Sequence, residues 1–269
     1  MAYRDTDFTG PIAGLYQRHL VPLLFQPWAD LIAEQAAAMA PTQIVEMAAG
    51  TGVLTAALAA RCPDAQIVAT DLNPAMLDFA RGAMPGGTKV TFAPADACDL
   101  PFEDGRFDLV CSQFGIMFYP DRVKAYAEAA RVLRSGGTMI AAVWGSLVEN
   151  RVSEALQQAM EATFPADPPR FLARTPFGYH DADIIVGEAK DGGFKQVSIE
   201  RITLRHPRVP LVSAVEGLIL GSPLRGEVEA HGPGATRLAL DAANRALADL
   251  ADGEGLIDAT MTALLITAR

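Results

Sequence analysis

The 269-residue chain is predicted to be an α/β protein: a doubly wound, mostly parallel sheet with an α-helical cap formed by insertions. Three observations predict this. Short β-rich runs alternate with helical stretches through the first half of the chain, which is the pattern of βαβ units. The first of these runs passes straight into a glycine-containing turn and then a helix. The alternation is then interrupted twice, at 147–180 and 207–256, with strand-like sequence resuming after each interruption.

The elements follow in order. Phe25, Trp28, Ala29, Ile32, Ala36 and Met39 recur at helical spacing until Pro41 stops the pattern, giving an amphipathic N-terminal helix preceded by Tyr16 and His19. Strands are predicted at 43–47, 66–71, 89–93, 107–112 and 138–144. Helices between them begin near Thr51, Pro74 and Asp121, the last capped by Asp121 and closed by Gly136-Gly137. After Trp144 come a helical segment, a proline-rich stretch at 164–176, and a helix and strand at 182–205. Residues 207–255 read as two helices joined by a loop at 231–234, and a final strand covers 259–268. The resulting division is an N-terminal helical lid (1–41), a core (42–146), a cap insertion (147–180), core continued (181–206), a second cap insertion (207–256) and a last core strand (257–269). The two insertions are expected to pack over the ligand edge of the sheet, because ligands of such sheets bind at the carboxyl ends of the strands.

Composition removes several classes. Half of the residues are hydrophobic and a fifth charged, so a packed core is expected. A net charge of −10 without basic clusters argues against nucleic acid as a partner. No apolar stretch reaches bilayer length and the first ten residues hold no signal-peptide core, so no membrane association and a cytoplasmic location are expected. Cys62, Cys98 and Cys111 form no paired motif and read as reduced, mostly buried thiols; no metal site is expected.

Chemistry concentrates in three places. In Ile44-Val-Glu-Met-Ala-Ala-Gly-Thr-Gly-Val53, glycines allow close backbone approach and the following helix start offers free N–H groups. The rival reading is the dinucleotide fingerprint GxGxxG, from which the chain departs with Thr55 at the third glycine position and Ala48 at the first position of the turn. About 20 residues later a strand ends on Asp71, whose carboxylate can accept both hydroxyl hydrogen bonds of a ribose. Capping the helix at Pro74 is a role that suits Asn73 better. The third place is the loop around Asp96, where a carboxylate could accept from an adenine amino group; Asp108, at a strand start, reads as structural.

These elements, together with Cys111-Ser-Gln-Phe-Gly-Ile-Met-Phe-Tyr-Pro120 and Arg131-Val-Leu-Arg-Ser-Gly-Gly137, resemble class I S-adenosylmethionine-dependent methyltransferases. The closest likeness is to the small-molecule branch of ubiquinone and menaquinone biosynthesis, over about residues 15–145. The resemblance implies a Rossmann-like, seven-stranded sheet with S-adenosyl-L-methionine as cofactor. It implies that the turn Ala48, Ala49, Gly50, Thr51 and Gly52, with Glu46 before it, wraps the methionine part. Asp71 would hold the ribose, Leu72 and Met76 would pack beside the adenosine, and Asp96 and Ala97 would meet the adenine. Gln113 and Phe114 would lie near the methyl group, with Tyr16 at the carboxylate end of the cofactor. Two departures are Ala48 in place of the usual first glycine and Ser135 in place of the usual proline before the glycine pair.

The expected function is methyl transfer to a small, partly hydrophobic acceptor by in-line displacement onto O, N or C. Phe114, Met117, Phe118, Trp144, Phe171 and Leu220 are candidate lining. His180 suits a general base for a hydroxyl acceptor, or else belongs to the cap of the helix at Asp181. His206 and His231 read as solvent-facing. The alternatives are a nicotinamide-dependent oxidoreductase, for which no Tyr-x-x-x-Lys motif is present, and a non-catalytic S-adenosylmethionine-binding module. The N-terminal segment and the two insertions offer surfaces for a homodimer.

Overall fold

The structure is a computed structural model that describes Asp5 and residues 12–269; the rest of the predicted lid, residues 1–4 and 6–11, lies outside the described residues. The chain enters through α1 (Ile12–Leu15) and a π-helical stretch (Tyr16–Phe25), followed by α2 (Gln26–Ala38). Tyr16 and His19, expected ahead of the first helix, therefore lie inside a helix of wider pitch, which also contains Pro22. A proline removes one backbone donor, and a wide turn is one way to accommodate that loss.

The core alternates as expected: β1 (Gln43–Glu46), α3 (Val53–Arg61), β2 (Gln66–Asp71), α4 (Pro74–Ala83), β3 (Val90–Pro94), β4 (Phe107–Gln113), α5 (Arg122–Val132) and β5 (Leu133–Trp144). Gly136-Gly137 does not close α5, which ends at Val132; the glycines sit in the long β5 instead. There the β4–β5 register shifts between Phe107 and Leu109. Gly137 has no room for a side chain, since a Cβ would lie 2.9 Å from the Arg134 carbonyl.

The second half contains α6 (Arg151–Thr163), α7 (Phe171–Arg174), α8 (Ala182–Asp191), β6 (Val197–Arg205), β7 (Val209–Pro210), α9 (Leu211–Leu220), α10 (Leu224–Glu229), α11 (Ala235–Ala248), β8 (Leu256–Ile257) and β9 (Thr260–Ala268). Residues 207–255 thus hold three helices rather than two, because Ser222-Pro223 breaks the stretch into α9 and α10. The main sheet has seven strands in the order β3-β2-β1-β4-β5-β9-β6. β1 to β5 pair in parallel and β9 runs antiparallel to β5, with β7 and β8 forming a separate two-stranded ribbon.

Two compact units emerge. One comprises residues 26–144, 179–202 and 263–269, in which α2 packs on α3, β4 and β5, and α5 packs on α8. The other comprises the described residues up to Phe25, with 145–178 and 203–262; there α11 packs on α6, α9 and α10. In this second unit Glu227 accepts the backbone N–H groups of Arg170 and Phe171, and pairs with Arg174 at 2.7 Å. Among the described residues, no helix is long and apolar enough to cross a membrane.

His206 corrects an expectation: it does not face solvent but is 3% exposed, its backbone N–H bonded to the Ala259 carbonyl at 2.9 Å. Burial pushes its imidazole down to about 4, against a smaller opposing contribution from the Leu23 backbone. A histidine depressed in this way is neutral in the folded chain while the unfolded chain protonates near 6.5, so stability falls as pH drops from about 6.5 to 4. Replacing it, as in His206→Leu, should remove about 2–3 kcal/mol of that acid-side loss, read as a flatter stability profile between those pH values in urea titrations.

Candidate active site

The candidate site forms where β1, β2 and β4 end. β1 stops at Glu46, and the next residues turn sharply: Ala48 has φ +56, Gly50 +55 and Gly52 +83. Ala48 adopts the left-handed region despite its Cβ, at a cost of about 1 kcal/mol relative to glycine. Gly52 admits no substitute without a shift, because a Cβ there would lie 2.8 Å from the Ala80 Cβ on α4. The turn is pinned by Met47 N–H on the Cys111 carbonyl and Ala49 N–H on the Thr70 carbonyl, both at 2.8 Å. Ala49 itself is buried with Ala69 and Leu77 in a core cluster.

Asp71 closes the turn from the tip of β2. One of its carboxylate oxygens accepts the Gly50 N–H and the other the Asn73 N–H, each at 2.8 Å. Asn73 is the cap of α4, its side chain accepting from Ala75 N–H, as the sequence suggests. Each Asp71 oxygen retains a second lone-pair direction, which is what a vicinal diol requires. Burial raises the Asp71 carboxyl, opposed by these two N–H groups. Beside it, Leu72 is 65% exposed, an apolar surface at the mouth of a polar turn, whereas Met76 faces inward with Leu77 and Ala80 on the packed face of α4.

Glu46 is fully buried and accepts the Thr55 hydroxyl at 2.6 Å. Desolvation pushes its carboxyl up to about 8; the Thr55 hydrogen bond opposes this and the Asp71 charge adds to it. Thr55, met in the sequence only as a missing glycine, is thus a working partner of the strand-end acid. Asp96 is exposed and organises its own loop, accepting from Cys98 N–H at 2.8 Å, and Ala97 beside it is buried. Asp108 is structural as expected, accepting from Thr42 and Gln43.

At the tip of β4, Gln113 is followed by Phe114 with φ +55, a conformation unusual for an aromatic residue. Ser112 and Tyr119 bring their hydroxyls within 3.3 Å. Burial raises the Tyr119 hydroxyl, offset by Ser112 and reinforced by the Asp71 charge. This pair was not anticipated from sequence, since only the fold brings the residues of the loop after β4 back toward β1.

His180 lies in the turn before α8, where Asp181 is the cap, accepting from Asp183 and Ile184 N–H. Its neighbour Tyr179 donates to Glu188, which also pairs with Arg122 of α5 at 2.8 Å. That Tyr179–Glu188–Arg122 contact joins the start of α8 to α5. Tyr16 lies in the other unit, stacked on Phe25.

The residues present suit S-adenosylmethionine. Among the described residues, the Thr51 hydroxyl is buried without a partner and nothing fills the space beside Gly50 where a Cβ would sit, while Asp71 and Leu72 pair a diol acceptor with an apolar surface.

Sheet order, antiparallel last strand and strand-tip turn define a class I, Rossmann-like methyltransferase. Residues 45–141 match the family model described as a methyltransferase domain. The chain is 35% identical over 187 residues to a demethylmenaquinone methyltransferase of Clavibacter sepedonicus, covering 66% of this chain and 76% of that relative. The match to a demethylmenaquinone methyltransferase of Thermus thermophilus is 41% over 114 residues and covers 42% of this chain, so the chain spans about half, 52%, of that relative. Among solved structures, a Haemonchus contortus phosphoethanolamine N-methyltransferase 2 shares the fold with a TM-score of 0.62 at 18% identity, over 100% of this chain and 60% of that one. The chain belongs to the family of S-adenosylmethionine-dependent methyltransferases, and within it is similar to the members of quinone biosynthesis.

Proposed function

We propose that the chain transfers the methyl group of S-adenosylmethionine to a small, partly hydrophobic acceptor by in-line displacement. The observation that carries this reading is the Asp71 carboxylate, held by the Gly50 and Asn73 N–H groups beside exposed Leu72. A bound sulfonium donor supplies an activated methyl group, so the protein has to orient the reactants and exclude water. Asp71 accepts from the ribose hydroxyls, Thr51 and the backbone of the turn bind the methionine end, and Leu72 covers the base. Gln113 and Phe114, at the tip of β4, border the methyl group. At an electron-rich ring carbon the C–CH₃ bond forms as the S–CH₃ bond breaks, leaving S-adenosylhomocysteine, and the displaced ring proton passes to solvent; this reading gives His180 no step.

The names of the relatives favour a reduced quinone ring as acceptor. The test is transfer of tritium from methyl-labelled S-adenosylmethionine in parallel incubations with a demethylated naphthoquinol and with phosphoethanolamine. Label in the naphthoquinol is the expected result; label only in phosphoethanolamine overturns the acceptor, and none in either overturns the quinol assignment.

A further inference from the structure

Three aromatic residues meet behind the tip of β4. Phe114 stacks on Trp144 with ring centroids 3.7 Å apart and planes 9° from parallel, and the Trp28 ring meets both edge-on, at 5.9 and 6.2 Å. Trp28 comes from α2 and Trp144 ends β5, and both are buried. Phe114 holds a left-handed backbone that costs an aromatic residue about 1–2 kcal/mol, and such conformations persist where the surroundings over-determine them. Its N–H donates to the Ala142 carbonyl at 2.8 Å, so the chain leaves the sheet there and turns at once.

The residue this turn delivers is Gly115. A Cβ on Gly115 would lie 2.6 Å from the Ala48 Cβ, and 3.0 Å from both the Ser112 and Tyr119 hydroxyl oxygens. Gly115 therefore rests directly on the Ala48 turn, and the rotation at Phe114 fixes that seat. We propose that Trp144, with Trp28, is a positioning residue for the methionine-binding turn: by clamping Phe114 in its left-handed conformation, it seats Gly115 against Ala48. The inference rests on the proposed site, in which the Ala48 turn holds the methionine end and Asp71 and Leu72 hold the adenosine end. With no Cβ at 115, the Ala48 Cβ has room at this contact, although its left-handed backbone still carries its cost.

The distinguishing experiment is calorimetric binding of two probes, S-adenosylhomocysteine and 5′-methylthioadenosine, which lacks the amino-acid end. Trp144→Leu should weaken S-adenosylhomocysteine by about tenfold or more while changing 5′-methylthioadenosine by less than about twofold. Trp144→Phe, which retains a stacking ring, should recover most of the loss. Gly115→Ala should give the same split, and adding Ala48→Gly should relieve it by removing the 2.6 Å collision. The glycine pair carries the test if Trp144→Leu does not fold. If the wild type binds both probes and the variants weaken both equally, or neither, the positioning role is wrong while the cofactor site stands. If the wild type binds neither probe, the cofactor site is wrong and this inference falls with it.

Discussion

Asp71→Ala is expected to weaken S-adenosylhomocysteine binding by at least about a hundredfold. Each ribose hydroxyl donating to an ionised carboxylate contributes about 1.5–3 kcal/mol, and every 1.4 kcal/mol is tenfold in affinity. The substitution also releases the Gly50 and Asn73 N–H groups, so the empty protein should lose stability as well. Asp71→Asn is not a mild control. Both carboxylate oxygens already accept backbone N–H groups, so an amide must turn its NH₂ toward one of those donors. Equilibrium binding, with stability followed separately by urea titration, checks both effects; unchanged affinity in Asp71→Ala would remove the ribose assignment.

Glu46 should make the protein less stable as pH rises. Its carboxyl is pushed up to about 8 by burial at the end of β1, against an ordinary value of 4.5. Below about 4.5 both folded and unfolded chains hold the proton. Between about 4.5 and 8 the unfolded chain releases it while the folded chain keeps it, so this contribution is lost progressively across that window. The size is a few kcal/mol, larger than a surface carboxylate can supply. Glu46→Gln retains an acceptor for the Thr55 hydroxyl at the same place and removes the charge. The variant should be the more stable protein at pH 9 and should lose this slope. Urea midpoints at a series of pH values decide it, and parallel profiles for wild type and variant would contradict the assignment.

What could be read without the fold was local. Asp71 at a strand tip, Asn73 as a cap and the turn after Glu46 each follow from the order of neighbouring residues, and all three stand where expected. The alternation of short apolar runs likewise located β1 to β5 within a few residues, except where β5 begins before its glycine pair. What escaped depends on distant contacts or on an unusual helical period. The seat of Gly115 on Ala48 joins residues 67 positions apart through one close contact. The left-handed Phe114 has no turn residue to announce it, because packing against Trp28 and Trp144 holds it there. Tyr16 and His19 escape the helical pattern because a π-helix does not follow the 3.6-residue period. His206 stands beside a proline among charged residues, a polar context that hides its burial.

The most direct measurement of the central claim is the unfolding temperature of the wild-type protein with S-adenosylhomocysteine and, separately, with NADH. A ligand held at about 100 times its dissociation constant stabilises the fold by about 2.7 kcal/mol, a rise of several degrees for a chain of this size. The strand-tip turn with Asp71 predicts that rise with S-adenosylhomocysteine and none with NADH. A rise with NADH alone would contradict it and return the glycine turn to dinucleotide binding.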